Sequence, residues 1–139
     1  MEEEFEIFEH TAEVGFRAFG KSLEEAFSNA GRATFSIMVD LEEISAEETV
    51  SFGIESENRK ALLYDFLDEL IYLRDVKDMV FSRFDVRIEE SEKGLSLECE
   101  AEGRKIGGMP GHDVKAVTYS QMEVEEKDGS FMVQVVLDV

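Results

Sequence analysis

The stretch Phe8-Glu9-His10-Thr11-Ala12-Glu13-Val14-Gly15-Phe16-Arg17-Ala18-Phe19-Gly20, followed at once by Ser22-Leu23-Glu24-Glu25, decides the fold. Phe5 and Ile7 just before it, and Val14, Phe16 and Ala18 within it, recur with a period of two. Two short strands follow from that period, each with one apolar and one polar face, joined through His10 to Glu13. A connection whose ends are fixed by strands holds polar side chains near water in a defined place, which suits chemistry better than a free loop. Ser22-Leu23-Glu24-Glu25 has the capping-box pattern, in which the serine hydroxyl takes a free backbone N–H and Glu25 reaches back, so a helix starts there. Leu23, Ala26, Phe27, Ala30, Thr34 and Ile37 carry the helical period to about Met38, and Gly31 inside the run marks close approach to a neighbour.

Working outward, Asp40 falls just beyond that helix, where a carboxylate opposes the macrodipole. Glu42 to Glu48 reads as an acidic connector, and Thr49 to Ile54 alternates as a third strand. A second helix is predicted from about Asn58 to Asp75, because Leu63, Phe66, Leu67, Leu70 and Ile71 fit one helical face. Asp65, Asp68 and Glu69 lie on or beside its polar side, as a solvated helix face requires. From Met79 the alternation returns: Phe84, Val86 and Ile88 turn through Ser91-Glu92-Lys93-Gly94 into Leu95, Leu97, Cys99 and Ala101. Gly103 to Gly111 reads as a connecting loop, without the spacing of a phosphate cradle. His112 to Val124 enters another strand, Asp128-Gly129 turns it, and Phe131, Val133, Val135 and Leu137 form the last. Asp138 is on the opposite face of that last strand, held in place by the apolar run that reaches it. The expectation is an α+β fold: two main helices packed on an antiparallel or mixed β-sheet, in one compact domain over residues 1–139.

Composition narrows the functions. Thirty-three acidic residues against fourteen Lys and Arg give a formal net charge of −19. With no basic run, direct binding of nucleic acid is not expected. The acidity suits solubility, a basic protein partner or a cation equally well. The single cysteine, Cys99, sits at an apolar strand position and reads as a small buried hydrophobe. Lack of a partner thiol points to a reducing cytoplasm, and no apolar run approaches the ~20 residues of a membrane-spanning helix.

Four ordered motifs resemble the archease family. Phe8 to Gly20 with Ser22 to Phe27 resembles the signature H-T-A-D-[VI]-G leading to L-E-E-A-F, and Met38-Val39-Asp40 resembles M-T-D. Val114-Lys115-Ala116-Val117-Thr118-Tyr119 resembles V-K-A-[IV]-T-Y, and Val136-Leu137-Asp138-Val139 resembles [VI]-[LI]-D-[IV]. The likeness covers essentially the whole chain. It departs at Glu13, where the family has aspartate, at the shorter Arg104 to His112 loop, and at Ser120, where some members have histidine.

The resemblance implies a non-enzymatic accessory factor of the GTP-dependent tRNA-splicing ligase, in the cytoplasm, promoting guanylation and multiple turnover of that enzyme. It implies a divalent ion, calcium or else manganese or magnesium, at Glu13, Asp40 and Asp138, and assigns no catalytic residue. Hard oxygen donors suit such ions better than zinc. His10, Lys115, Thr118 and Tyr119 are the supporting or partner-contact candidates, His10 as a hydrogen-bonding support for the Glu13 turn. His112 corresponds to no family histidine. Two other classes stay open on the residues: a metal-dependent hydrolase built on the same carboxylates with His10 as base, and a general chaperone with a large exposed apolar surface.

Overall fold

The computed structural model describes residues 3–10, 12–106 and 114–139, with His10 through its backbone alone. In chain order they form β1 (Phe5–His10), β2 (Glu13–Gly20), α1 (Leu23–Met38), a short 3-10 helix (Leu41–Glu43), β3 (Glu48–Ser56), α2 (Arg59–Lys77), β4 (Met79–Ser91), β5 (Gly94–Lys105), β6 (Ala116–Lys127) and β7 (Ser130–Asp138). The strands make two sheets, ordered β1-β2-β7-β6 and β3-β5-β4. Every pairing is antiparallel, so the mixed-sheet alternative falls away. α1 packs on β2 and β4 and α2 on β6 and β3, while among the described residues no strand of one sheet contacts a strand of the other. The helices are thus the middle layer of an α+β domain with one core.

Both helices begin where the sequence places them. Ser22 caps α1 by accepting the Glu25 N–H at 3.0 Å, and Glu25 in turn accepts the Lys21 N–H at 2.8 Å. Asn58 caps α2 through the Ala61 N–H at 2.8 Å. The apolar faces then bury against each other and both sheets. Phe66 sits between Phe27, at 5.7 Å between ring centroids, and Phe84, edge-on at 6.2 Å. Gly31 has the close neighbour its sequence context predicts: a Cβ there would lie 2.9 Å from the Phe84 ring. Cys99 is buried, and desolvation pushes its thiol up to about 12.

Three local expectations need correcting. Gly103, Arg104 and Lys105 belong to β5 rather than to a loop, paired with Phe81, Val80 and Met79. The glycine is needed because the Val80 carbonyl occupies the place of its missing Cβ beside a register shift in β4, a strand use of glycine that looks loop-like in sequence. The acidic connector begins inside a 3-10 helix, Leu41–Glu43. The first connection is shorter than His10 to Glu13, since both residues are strand ends, and Ala12 takes φ 61 in the tight turn between them. Ile7 keeps its strand parity yet is 41 % exposed, because β1 is an edge strand that α1 only partly covers.

Candidate functional site

Register places the carboxylates. β2 pairs with β7 so that Glu13 lies directly opposite Asp138, while His10 lies opposite Glu13 across β1 and Ala116 opposite Asp138 across β6. Directly opposed residues share a face, so the four form one row across the end of the sheet. The Val139 N–H donates to the Ala12 carbonyl at 3.2 Å, next to that pair. Glu13 and Asp138 are therefore a non-hydrogen-bonded pair, the type whose Cα atoms stand about 4.5 Å apart and whose side chains come closest. Val14 and Leu137, their neighbours in sequence, point the other way, with Leu137 fully buried against the helices. The two carboxylates thus occupy the face turned away from α1. Among the described residues no ion pair and no side-chain hydrogen bond reaches either of them.

The same face is built to hold that end of β2 still. Phe8 on β1 lies across Gly15, filling the space a Cβ would need. The Arg17 guanidinium stacks over the Phe8 ring at 4.9 Å and donates to Glu6 at 2.8 Å, so this cation is already engaged.

Asp40 is placed by α1, which follows β2. β2 has eight residues and α1 sixteen, and at about 3.3 Å per strand residue and about 1.5 Å per helix residue their lengths nearly match. The Asn29 side-chain amide donates to the Phe19 carbonyl at 2.7 Å, which ties the start of α1 to the end of β2. The helix then runs back along β2, and the 3-10 helix that follows it packs against α1 and β4. Asp40 is exposed there and accepts the Glu42 N–H at 3.0 Å through Oδ1, capping the 3-10 helix. That cap accounts for an aspartate which otherwise opposes the α1 dipole. Asp40 stands outside the Glu13–Asp138 row, and among the described residues no three His, Cys, Asp or Glu side chains are grouped closely enough to hold a metal ion. Glu13, Asp138 and Asp40 all carry the hard oxygen donors that a divalent cation of the calcium or magnesium type takes.

Of the remaining candidates, Lys115 lies just before β6, and Thr118 and Tyr119 lie on it. Lys115 donates its backbone N–H to the Asp138 carbonyl at 2.8 Å, and its side chain is exposed. The Thr118 hydroxyl donates to the Val136 carbonyl at 2.9 Å and accepts the Ser120 N–H at 3.2 Å. Tyr119 is 55 % exposed and stacks on Tyr64 of α2, with centroids 4.3 Å apart and planes 9° from parallel. Between Thr118 and Glu123 the register with β7 breaks: residues 119–122 bulge opposite Val135 alone. Gln121 takes φ 56 there, and its carbonyl accepts the Gln134 side-chain amide at 2.8 Å. Sequence alternation missed this bulge; the polar run Ser120-Gln121 inside an apolar alternation was its only trace. The side chain of His10, and all of His112, lie outside the described residues. A cavity of about 930 Å³ lies at the other end of the sheet, beside the paired Gly20 and Phe131.

With this geometry in hand, the comparisons with known proteins are decisive. The pattern of the Archease protein family matches residues 5–139. The chain belongs to the archease family. Archease proteins of Methanothermobacter thermautotrophicus and Pyrococcus abyssi are 43 % and 40 % identical to it, each over 97 % of this chain and 98 % of the relative. The solution structure of protein 1598 of Methanobacterium thermoautotrophicum superposes with a TM-score of 0.87 at 42 % identity, covering 98 % of this chain and 99 % of that one. The archease of Thermotoga maritima shares the fold, with a TM-score of 0.62 at 22 % identity over 95 % of this chain and 94 % of that one.

Proposed function

We propose that this archease is a non-enzymatic, metal-binding accessory factor that promotes guanylation and multiple turnover of the GTP-dependent tRNA-splicing ligase. The observation that carries the proposal is the in-register pair Glu13–Asp138, two half-buried like charges held side by side on one sheet face, which no ion pair among the described residues reaches. Directly opposed like charges destabilise a sheet, so a bound ion or a cationic partner is the natural complement. Glu13 and Asp138 hold Ca²⁺, Mn²⁺ or Mg²⁺ in this reading, with Asp40 as the third carboxylate. The Asp40 cap uses Oδ1, and a carboxylate has about four lone-pair sites, so capping leaves capacity for a ligand. The ion supplies positive charge at the partner's face; the protein's own residues position it.

The net charge of −19 supports a basic protein partner, since opposite charge steers encounter and an RNA ligase must itself attract phosphate. The Thermotoga maritima relative is described as a possible chaperone. Among the described residues the exposed large hydrophobics are Ile7, Tyr72, Val76 and Tyr119, fewer than a general chaperone's contiguous apolar surface requires, which favours a dedicated partner. The test is Asp138→Ala. No core volume is lost, so the variant folds. It fails to accelerate ligase guanylation and repeated RNA joining, while a single turnover by ligase already guanylated proceeds as before. Equal stimulation by the variant and the unmodified protein removes Asp138 from the mechanism, and stimulation by neither rejects the ligase as partner.

A further inference from the structure

The Tyr64–Tyr119 stack is an unusual thing to leave in water. Two rings lie parallel at 4.3 Å, one from α2 and one from the β6 bulge, and the outer one is 55 % exposed. Their placement is fixed from both sides. Thr118 ties the start of the bulge to Val136, Gln134 ties Gln121, and Tyr64 stands on a helix whose other face is the core. The rings are also flanked by negative charge. The Asp65 carboxylate, next to Tyr64, is oriented by the Ser56 hydroxyl, which donates to its Oδ2 at 2.7 Å. Asp65 and Glu57 stand near enough to Tyr119 to help raise the pKa of its phenol, although desolvation is the larger cause. Neither is in an ion pair among the described residues, whereas the nearest arginine along α2, Arg59, is committed to Glu90 at 2.9 Å and Glu126 at 3.3 Å. Tyr72 and Val76, at four-residue steps along α2 beyond Tyr64 and Asp68, are exposed as well and extend the surface.

We propose that this surface is where a basic protein partner docks, with one of its arginines laid flat on Tyr119 and its guanidinium N–H groups donated to Asp65 and Glu57. A guanidinium is planar, weakly hydrated and always charged, so it stacks on a ring while its edge reaches carboxylates; a lysine ammonium matches the charge without the stacking. Buried tyrosine and arginine contacts are also the kind that dominate protein interfaces. Tyr119 lies three residues along β6 from Ala116, the neighbour of Asp138, but on the helix side of the sheet, so a partner anchored here would have to pass the β6 edge to reach the carboxylate row. The surface rests on the partner reading above for the identity of the protein that brings the arginine.

The test separates the two. Hexa-arginine and hexa-lysine peptides are titrated into the intact protein at about 0.15 M salt, where long-range attraction is screened, with amide NMR shifts reporting the site. Hexa-arginine binds about fivefold more tightly than hexa-lysine and moves the Tyr64 and Tyr119 signals. Tyr119→Leu abolishes the preference, Tyr119→Phe keeps it, and Asp65→Asn weakens hexa-arginine alone. Equal affinity for the two peptides, or a preference that survives Tyr119→Leu, overturns the proposal. In ligase assays Tyr119→Leu raises the concentration needed for half-maximal stimulation; an unchanged concentration overturns this surface while leaving the partner reading intact. If the unmodified protein stimulates no ligase, the partner reading fails and the peptide titration still decides the surface.

Discussion

Glu13 and Asp138 come from opposite ends of the chain and face each other across adjacent antiparallel strands, as a non-hydrogen-bonded pair on the sheet face away from α1. Without a cation the pair is a cost to the fold. Glu13→Gln therefore raises the metal-free melting temperature, with a gain in stability of about 0.2–1 kcal/mol at low salt that shrinks as salt is added. In calcium or manganese at a hundredfold excess over Kd the order reverses, because the unmodified protein gains about 2.7 kcal/mol from binding and the variant gains less. Thermal melts with and without ion, at two salt concentrations, check both halves.

Gly31→Ala sets two effects of known size against each other. Alanine improves helix propensity by about 1 kcal/mol. Its methyl would sit 2.9 Å from the stiff ring of Phe84, inside a packed aromatic cluster, and overpacking costs about 1–3 kcal/mol. The packing term wins, so urea denaturation shows a lower midpoint. A higher midpoint would mean that Phe84 yields without strain.

Cys99 is inert while the protein is folded. Burial holds its thiol up to about 12, so at pH 8 almost no thiolate exists and the sulfur is out of reach. A disulfide reagent at pH 8 modifies it only at the rate of unfolding, and immediately in denaturant. The raised value also gives a direction: stability from the neutral buried thiol is complete below its unfolded pKa near 9.0 and is lost as pH rises toward 12.

Arg59 clasps the two sheets, donating to Glu90 on β4 and to Glu126 on β6, with its guanidinium 5.7 Å from the Phe131 ring. The hydrogen bond from Arg59 holds the Glu90 carboxyl below its ordinary value of 4.5. A depressed acid stabilises above its unfolded pKa and loses that contribution as pH falls through the folded one, so the clasp weakens below about pH 4.5. Because the pair is half exposed, its share is only a few tenths of a kcal/mol. Arg59→Met lowers stability at pH 7 and flattens the decline between pH 5 and 3, as chemical denaturation across that range measures.

What the sequence made legible followed from repetition and from local chemistry. Ser22 and Asn58 mark their helix starts because a cap is decided by atoms three residues away. Strand parity placed Asp138 opposite the core residues Val133, Val135 and Leu137 before any pairing was known. Two things escaped it for the same physical reason. Splitting the strands into two sheets depends on which strands meet, and the β6 bulge depends on how β6 must rejoin β7; neither leaves a periodic signal along the chain. Asp40 was legible as an anomaly. Its local role, capping the 3-10 helix, stayed hidden because three residues carry too little pattern to announce a helix.

The order of strands within the two sheets has a consequence for synthesis. β3, β4 and β5 are contiguous but for α2, so their sheet can pair as soon as that segment leaves the ribosome. The other sheet cannot. β2 waits for β7, the last strand described, and until it arrives β2 offers an open edge to any other chain. A polypeptide cut short before β7 therefore has no partner for Glu13 and no Asp138. The carboxylate pair is thus a record that β7 has been made and has found its place beside β2.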